Sequence, residues 1–240
     1  MFGVLSFNDR VWIRALRYGV AASIEHNSVL QNLDCRTVVD IGANRGQFAL
    51  VARHNFPNAN IISFEPLPEP AEVFHRVFSF DSAVTLHKAA IGLVTGQYSM
   101  HVSARDDSSS LLPISSLQEK MFPGTSEVGT VDVRVAPLTT FVNENDIVNP
   151  AMLKLDVQGF ELDALRGCVP LLSKFEWVYC ECSFVELYTG QKLAADVIDW
   201  LSNKGFRIVG MYNPAYDREG LAIQADFLFQ RNVTDRMSCG

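Results

Sequence analysis

The chain has 240 residues, 48% of them hydrophobic, and a formal net charge of −7. That length and apolar content suit one large α/β domain with an extended core. The acidic balance, with no run of Lys or Arg, argues against nucleic acid as the main partner, because phosphate binding needs clustered cations.

Met1 to Leu30 carries Asp9, Arg10, Arg14, Arg17 and Glu25 and so lacks the apolar stretch of a secretory signal. Residues 9–25 place Val11, Trp12, Ala15, Leu16 and Tyr18 near helical spacing, which predicts an amphipathic helix packed on the domain. Residues 1–35 are expected as an N-terminal helical extension and 36–232 as the main domain. Thr37 to Ile41 reads as the first buried strand and Gln47 to Asn55 as a helix stopped by Pro57. Ile61 to Phe64 is the second strand. Glu69 to Phe78 is a helix with Val73, Phe74 and Val77 on one face, and Val84 to His87 is the third strand. Gly96 to Ser103 and Val131 to Val135 alternate, the pattern of half-exposed antiparallel strands. The Ser-rich stretch 108–116 and the stretch 121–129 between them read as loop, so 96–136 is expected as a β insertion on the sheet. A strand at 152–157, a helix at 161–166, a strand at 177–182 and a helix at 194–203 follow. Strands at 206–210 and 225–230 close the chain with no helix between them. Strands alternating with helices predict a three-layer, mostly parallel sheet, here with an antiparallel last strand.

Cys35, Cys168, Cys180, Cys182 and Cys239 are irregularly spaced, with no pair of CxxC motifs. Neither a zinc site nor a disulfide framework is expected, and a reducing, cytoplasmic location fits. No stretch approaches the roughly 18–20 continuous apolar residues of a membrane helix.

The most informative stretch is Asp40-Ile41-Gly42-Ala43-Asn44-Arg45-Gly46-Gln47-Phe48, a strand end, a tight turn and a helix start. In α/β proteins that is where a nucleotide-like cofactor sits. Gly42 lets the backbone approach a ligand, Asn44 tolerates a left-handed conformation, and Gly46 allows helix to pack on strand. The helix N-terminus offers free N–H groups to an anion. Glu65 ends the second strand, where a carboxylate accepts from both ribose hydroxyls. Asn44 replaces the middle glycine of the G-x-G-x-x-G dinucleotide pattern. S-adenosylmethionine instead needs a helix N-terminus for its carboxylate, an acid near its ammonium and an acid for its ribose. Asp40 and Glu65 supply those acids. A nucleotide-dependent oxidoreductase and a silent binding module remain open at this point.

The chain resembles the FkbM family of S-adenosylmethionine-dependent methyltransferases. The matching stretches are 38–48, Phe64-Glu65-Pro66, Lys88-Ala89-Ala90-Ile91-Gly92, Ser109-Ser110-Leu111 and, most specifically, Leu153-Lys154-Leu155-Asp156-Val157-Gln158-Gly159-Phe160-Glu161-Leu162. The resemblance implies a Rossmann-like class I methyltransferase fold, bound S-adenosylmethionine and O-methylation of a sugar or natural-product hydroxyl. It also adds Ala43, Gln47, Phe48, Pro66, Ala89, Ala90, Ser109 and Asp156 as cofactor contacts. At Pro137-Leu138-Thr139-Thr140 this chain has Thr where the family often has Asp.

Methyl transfer to an alcohol needs an aligned acceptor and a base within reach. Asp156, ending the fourth strand, is the first candidate, with a helix cap as its competing role. Lys154 lies on the same face and can orient Asp156. Glu181 lies between Cys180 and Cys182, so alternation puts the thiols on one face and the carboxylate on the other. None of the five histidines sits in a pattern that marks a base, although His87 ends the third strand beside the expected cofactor edge. The insertion and the N-terminal helix are the natural lids, with Tyr212, Tyr216 and Asp217 as further cleft candidates. The expected partner is a small-molecule or glycan acceptor with a free hydroxyl.

Overall fold

A computed structural model describes residues 7–232, so Cys239 and the first six residues of the expected extension lie outside it. In chain order, α1 (Phe7–Arg17), α2 (Asn27–Leu30), β1 (Thr37–Ile41), α3 (Gln47–Asn55), β2 (Asn60–Phe64), α4 (Pro68–Phe78) and β3 (Val84–His87) form the first half. β4 (Ala90–Ile91), β5 (Gly96–Ser103), α5 (Ser116–Met121) and β6 (Glu127–Ala136) form the insertion. β7 (Ala151–Leu155), α6 (Glu161–Gly167), α7 (Val169–Leu172), β8 (Trp177–Ser183), α8 (Ala194–Asn203), β9 (Phe206–Tyr216) and β10 (Ala222–Arg231) complete the chain.

The main sheet has seven strands in the order β3-β2-β1-β7-β8-β10-β9. The pairs from β3 to β8 are parallel, and β10 runs antiparallel to both β8 and β9. The order reverses between β1 and β7, which opens a crevice beyond their C-terminal ends. β1 and β7 are buried at every position, as expected for central parallel strands covered on both faces. Val38 and Met152 join a core beneath α1 and α3, while Val39 and Leu153 face the opposite core beneath α6 and α8. The charges that interrupt these apolar runs, Asp40 and Lys154, are direct register partners.

Two expectations are corrected. The helix expected over 9–25 stops at Arg17, because Gly19 turns the chain through a left-handed conformation and a short 3-10 turn at Ile24–His26 follows. The insertion is a separate three-stranded sheet, β4-β6-β5, rather than an addition to the main sheet. Between the two stretches expected as loop lies α5, which Ser115 caps by accepting from the Leu117 and Gln118 amides.

β9 is longer than expected and its pairing with β10 breaks register three times. At one break Gln224 pairs with Ala215 and Asp226 with Tyr212, so β9 carries one extra residue there. Asn213, inside that bulge, has φ +48°. Bulges of this kind re-aim a side chain.

Candidate active site

The turn after β1 places Gly42 at φ +83°, Asn44 at +46° and Gly46 at +96°. A Cβ on Gly42 would lie 1.8 Å from the Asp156 carbonyl oxygen, so only glycine lets the turns after β1 and β7 touch. A Cβ on Gly46 would lie 2.6 Å from the Phe78 ring. That glycine therefore serves the packing of α3 on α4, not of helix on strand.

Glu65 is fixed by two backbone donors. The Asn44 N–H donates to Oε2 at 2.9 Å and the Leu67 N–H to Oε1 at 2.8 Å.

These groups line a cavity of about 380 Å³ at the C-terminal ends of the strands. Gly42, Ala43, Asn44, Gln47 and Phe48 form one wall, with Glu65 and Pro66 beside them. Ala89, Ala90 and Ser109 border the same space, and Lys154, Asp156 and Glu181 form its other end. Asp40 and Gly46 are not on the wall. Asp40 is fully buried beneath the turn, with Lys154 Nζ 3.2 Å from its Oδ1. Lys154 also donates to the Gly42 carbonyl at 3.2 Å and stands 3.8 Å from Asp156 Oδ2. Burial alone would lower the lysine pKa, but the Asp40 and Asp156 carboxylates outweigh it and hold Lys154 protonated. Burial pushes the Asp40 carboxyl up while Lys154 pulls it back. The acid expected beside a ligand ammonium is thus engaged by a lysine.

Asn44 Oδ1, Gln47 Oε1 and Gln118 Oε1 are buried without a hydrogen-bond partner among the described residues, and all three residues line the cavity. Buried acceptors left unpaired are costly, so they call for ligand donors. S-adenosylmethionine carries an ammonium, two ribose hydroxyls and an adenine amino group, and the residues present fit it. Gln118 escaped the sequence reading. The Ser115-Ser116-Leu117-Gln118 run, which has the S-x-x-Q spacing of a capping box, was the signal that could have found it.

At the other end, Gln158, at φ +55°, donates Nε2 to Asp156 Oδ1 at 2.7 Å and to Glu181 Oε2 at 3.2 Å. Gln224 Nε2 donates to Glu181 Oε1 at 2.7 Å. Burial, then the Asp156 and Asp226 carboxylates, push the Glu181 carboxyl well above its ordinary range. Glu161 fastens the turn after β7, its Oε1 accepting from the Val157 and Gly159 N–H groups at 3.1 and 3.0 Å. Cys180 and Cys182 are buried with their sulfurs 3.8 Å apart, on the core side of β8.

Tyr212, Tyr216 and Asp217 do not reach the cavity. The tyrosines belong to β9, and Asp217 caps its turn by accepting from Glu219 and Leu221 N–H. His87 stacks on Phe64 and is not on the wall, and burial lowers its pKa. The insertion does supply wall residues, among them Met100, Ser108 and Gln118. His26 from the N-terminal segment and Asn213, Gln224 and Asp226 from the last hairpin also line the cavity. None of these four was singled out from sequence.

A family model described as the methyltransferase FkbM domain matches residues 40–208. The chain is 26% identical over 181 residues to the 2-O-methyltransferase NoeI of Sinorhizobium fredii, covering 73% of this chain and 74% of that one. It is 27% identical over 190 residues to Methyltransferase 1 of Beauveria bassiana, covering 71% and 72%. It is 23% identical over 202 residues to the 31-O-demethyl-FK506 methyltransferase FkbM of Streptomyces tacrolimicus, covering 75% of each. A solved structure of an NADB-Rossmann superfamily protein from Streptococcus agalactiae matches with a TM-score of 0.50 at 12% identity, covering 89% of this chain and 70% of that one, a likeness of fold.

Proposed function

This chain belongs to the FkbM methyltransferase family and uses S-adenosylmethionine, and on that premise we propose that it methylates a hydroxyl group of a sugar in a glycan, glycolipid or secondary metabolite. Family membership replaces the oxidoreductase alternative. The observation that carries the acceptor reading is the pairing of carboxylates and amides at one end of the cavity. Asp156 and Glu181 accept, and Gln158 and Gln224 donate. Carboxylates and amides on one wall match the mixed donors and acceptors of a polyol. The names of two relatives, a 2-O- and a 31-O-methyltransferase, point the same way.

Bound in the cavity, S-adenosylmethionine supplies an electrophilic methyl group. Glu65 takes the ribose hydroxyls, and the turn from Gly42 to Gln47, with the oxygens of Asn44 and Gln47, takes the amino-acid end. Gln118 takes the adenine edge. Asp156 and Glu181 hold the acceptor hydroxyl in line, and Lys154 orients Asp156. Alignment of this kind removes several kcal/mol of barrier. Among the described residues no helix is long and apolar enough to cross a membrane.

The test is a methyl-transfer screen with labelled S-adenosylmethionine against neutral methyl glycosides, glycolipid headgroups and uronic acids. Label in base-stable methyl ethers is the expected result. Label found only in base-labile methyl esters overturns the hydroxyl assignment.

A further inference from the structure

We propose that His26 is the proton acceptor for the hydroxyl being methylated, and that Tyr179 and Asp226 hold its ring in the tautomer this requires. The assignment rests on the hydroxyl-methylation reading of the same cavity. His26 and Asp226 both lie outside the stretch that matches the family model.

His26 closes the 3-10 turn after α1, and its side chain is 14% exposed, held by protein yet open to the cavity it shares with Asp156. The edges of Phe48 and Tyr179 pack against the ring, with centroids 5.4 and 5.5 Å away. Its Nδ1 lies 2.9 Å from the Tyr179 hydroxyl and 3.5 Å from Asp226 Oδ2. The Tyr179 hydroxyl and the Asp226 carboxylate thus face the same ring nitrogen. An ionised carboxylate can only accept. Facing that carboxylate, Nδ1 is the ring nitrogen that carries the proton, and the phenol oxygen accepts from Nδ1–H. Burial and the adjacent Asp226 carboxylate keep the phenol protonated. Asn213, aimed by the β9 bulge, directs its short bond to Asp226 Oδ2 at 2.8 Å and stands farther from Nδ1, at 3.3 Å.

With Nδ1 protonated, Nε2 carries the lone pair. Among the described residues no hydrogen bond engages it, and Glu25 Oε1 lies 3.8 Å away, placed to stabilise the imidazolium. The other groups that bear on the ring are Asp226 from β10, Tyr179 from β8, Asn213 from β9 and Asp40 from β1. The cavity carboxylates are less suited to the task. Both Glu181 oxygens accept amide N–H bonds, and Asp156 faces Gln158 and Lys154. In the reaction, the acceptor oxygen bonds to the methyl carbon and its proton passes to His26 Nε2. The methyl–sulfur bond breaks and its electron pair stays on sulfur, leaving a neutral thioether. The imidazolium then returns the proton to solvent.

The test has a spectroscopic arm and a kinetic arm. Full-length protein labelled with 15N-histidine and saturated with S-adenosylhomocysteine is followed by long-range proton–nitrogen correlation from acid to alkaline pH, with His26→Gln assigning the signal. The expected neutral ring is protonated on Nδ1, and Tyr179→Phe and Asp226→Asn each shift it toward the other tautomer. A wild-type ring protonated on Nε2 overturns the proposal. In the kinetic arm, with the methyl glycoside turned over fastest, His26→Gln lowers kcat by about 10²–10³-fold. It leaves S-adenosylhomocysteine affinity unchanged and removes the acid limb of the pH profile of kcat. A His26→Gln enzyme with wild-type kcat and an intact acid limb also overturns it. If the wild type methylates no glycoside, the hydroxyl reading fails separately, and the tautomer still decides the relay.

Discussion

The Tyr188 hydroxyl lies 2.8 Å from Gln158 Oε1 and 3.0 Å from the Ser108 carbonyl, and its shorter bond, to the glutamine, sets which way the Gln158 amide faces. The amide nitrogen is thereby turned to Asp156 and Glu181. Without the phenol donor the amide is free to flip and present its oxygen to two carboxylates. Tyr188→Phe is expected to lower kcat/KM for the acceptor roughly tenfold, the worth of about one hydrogen bond. S-adenosylhomocysteine affinity should hold, because the Tyr188 hydroxyl bonds Gln158 and Ser108 and neither Glu65 nor the glycine turn. Steady-state kinetics beside calorimetry check this, and equal losses in both would refute it.

Gly42→Ala should abolish cofactor binding, because its Cβ would lie 1.8 Å from backbone at Asp156. Gly124 also has a left-handed φ, +89°, but open space around it. Gly124→Ala should therefore cost only about 1 kcal/mol of backbone strain and leave binding intact. Calorimetric titration of S-adenosylhomocysteine into both variants, with circular dichroism as a fold control, separates them.

Glu161 predicts a pH dependence of stability. Burial pushes its carboxyl up to about 7, against an ordinary 4.5. The folded state therefore holds this proton more tightly than the unfolded chain. The stabilisation it brings is complete below pH 4.5 and is lost as pH rises toward and through 7, up to roughly 3 kcal/mol. Glu161→Gln keeps a carbonyl oxygen for the Val157 and Gly159 donors and cannot ionise. Urea unfolding should find this variant more stable than wild type at pH 8 and equal to it near pH 4. A variant less stable at pH 8 would show that the ionised carboxylate is what the turn requires.

Arg53 is buried in α3, where Nε donates to Asp81 Oδ2 at 2.8 Å and Nη1 to the carbonyls of Phe56, Pro57 and Ala59. Arg53→Met strands a buried carboxylate and three carbonyls, a loss of about 3–5 kcal/mol. Arg53→Met combined with Asp81→Asn should recover part of it. Denaturant midpoints of wild type, single and double variants measure the coupling, and strict additivity would contradict it.

What was legible in the sequence was local. The turn after β1, Glu65 at the end of β2 and the stretch from Leu153 to Leu162 each announce themselves within about ten residues. Asp40 was misplaced because its side chain is governed by a residue on another strand. In a parallel pair, register partners share a face, and Asp40 faces Lys154 only because β1 lies beside β7. His26, Asn213, Gln224 and Asp226 were hidden for the same reason. They arrive from the two ends of the chain and meet only once β10 has inserted between β8 and β9. Asn213 needs, in addition, a bulge that no composition signal marks.

The register breaks between β9 and β10 also bear on how the molecule keeps to itself. β9 is the outermost strand of the main sheet, and it exposes Ile208, Val209 and Met211. A straight strand of its 11 residues, with apolar side chains and an unpaired ladder, would be a template for another chain. The extra residues at Val209 and Asn213 interrupt that ladder and bend it. The distortion that aims Asn213 at the site thus also guards the open edge of the sheet against aggregation.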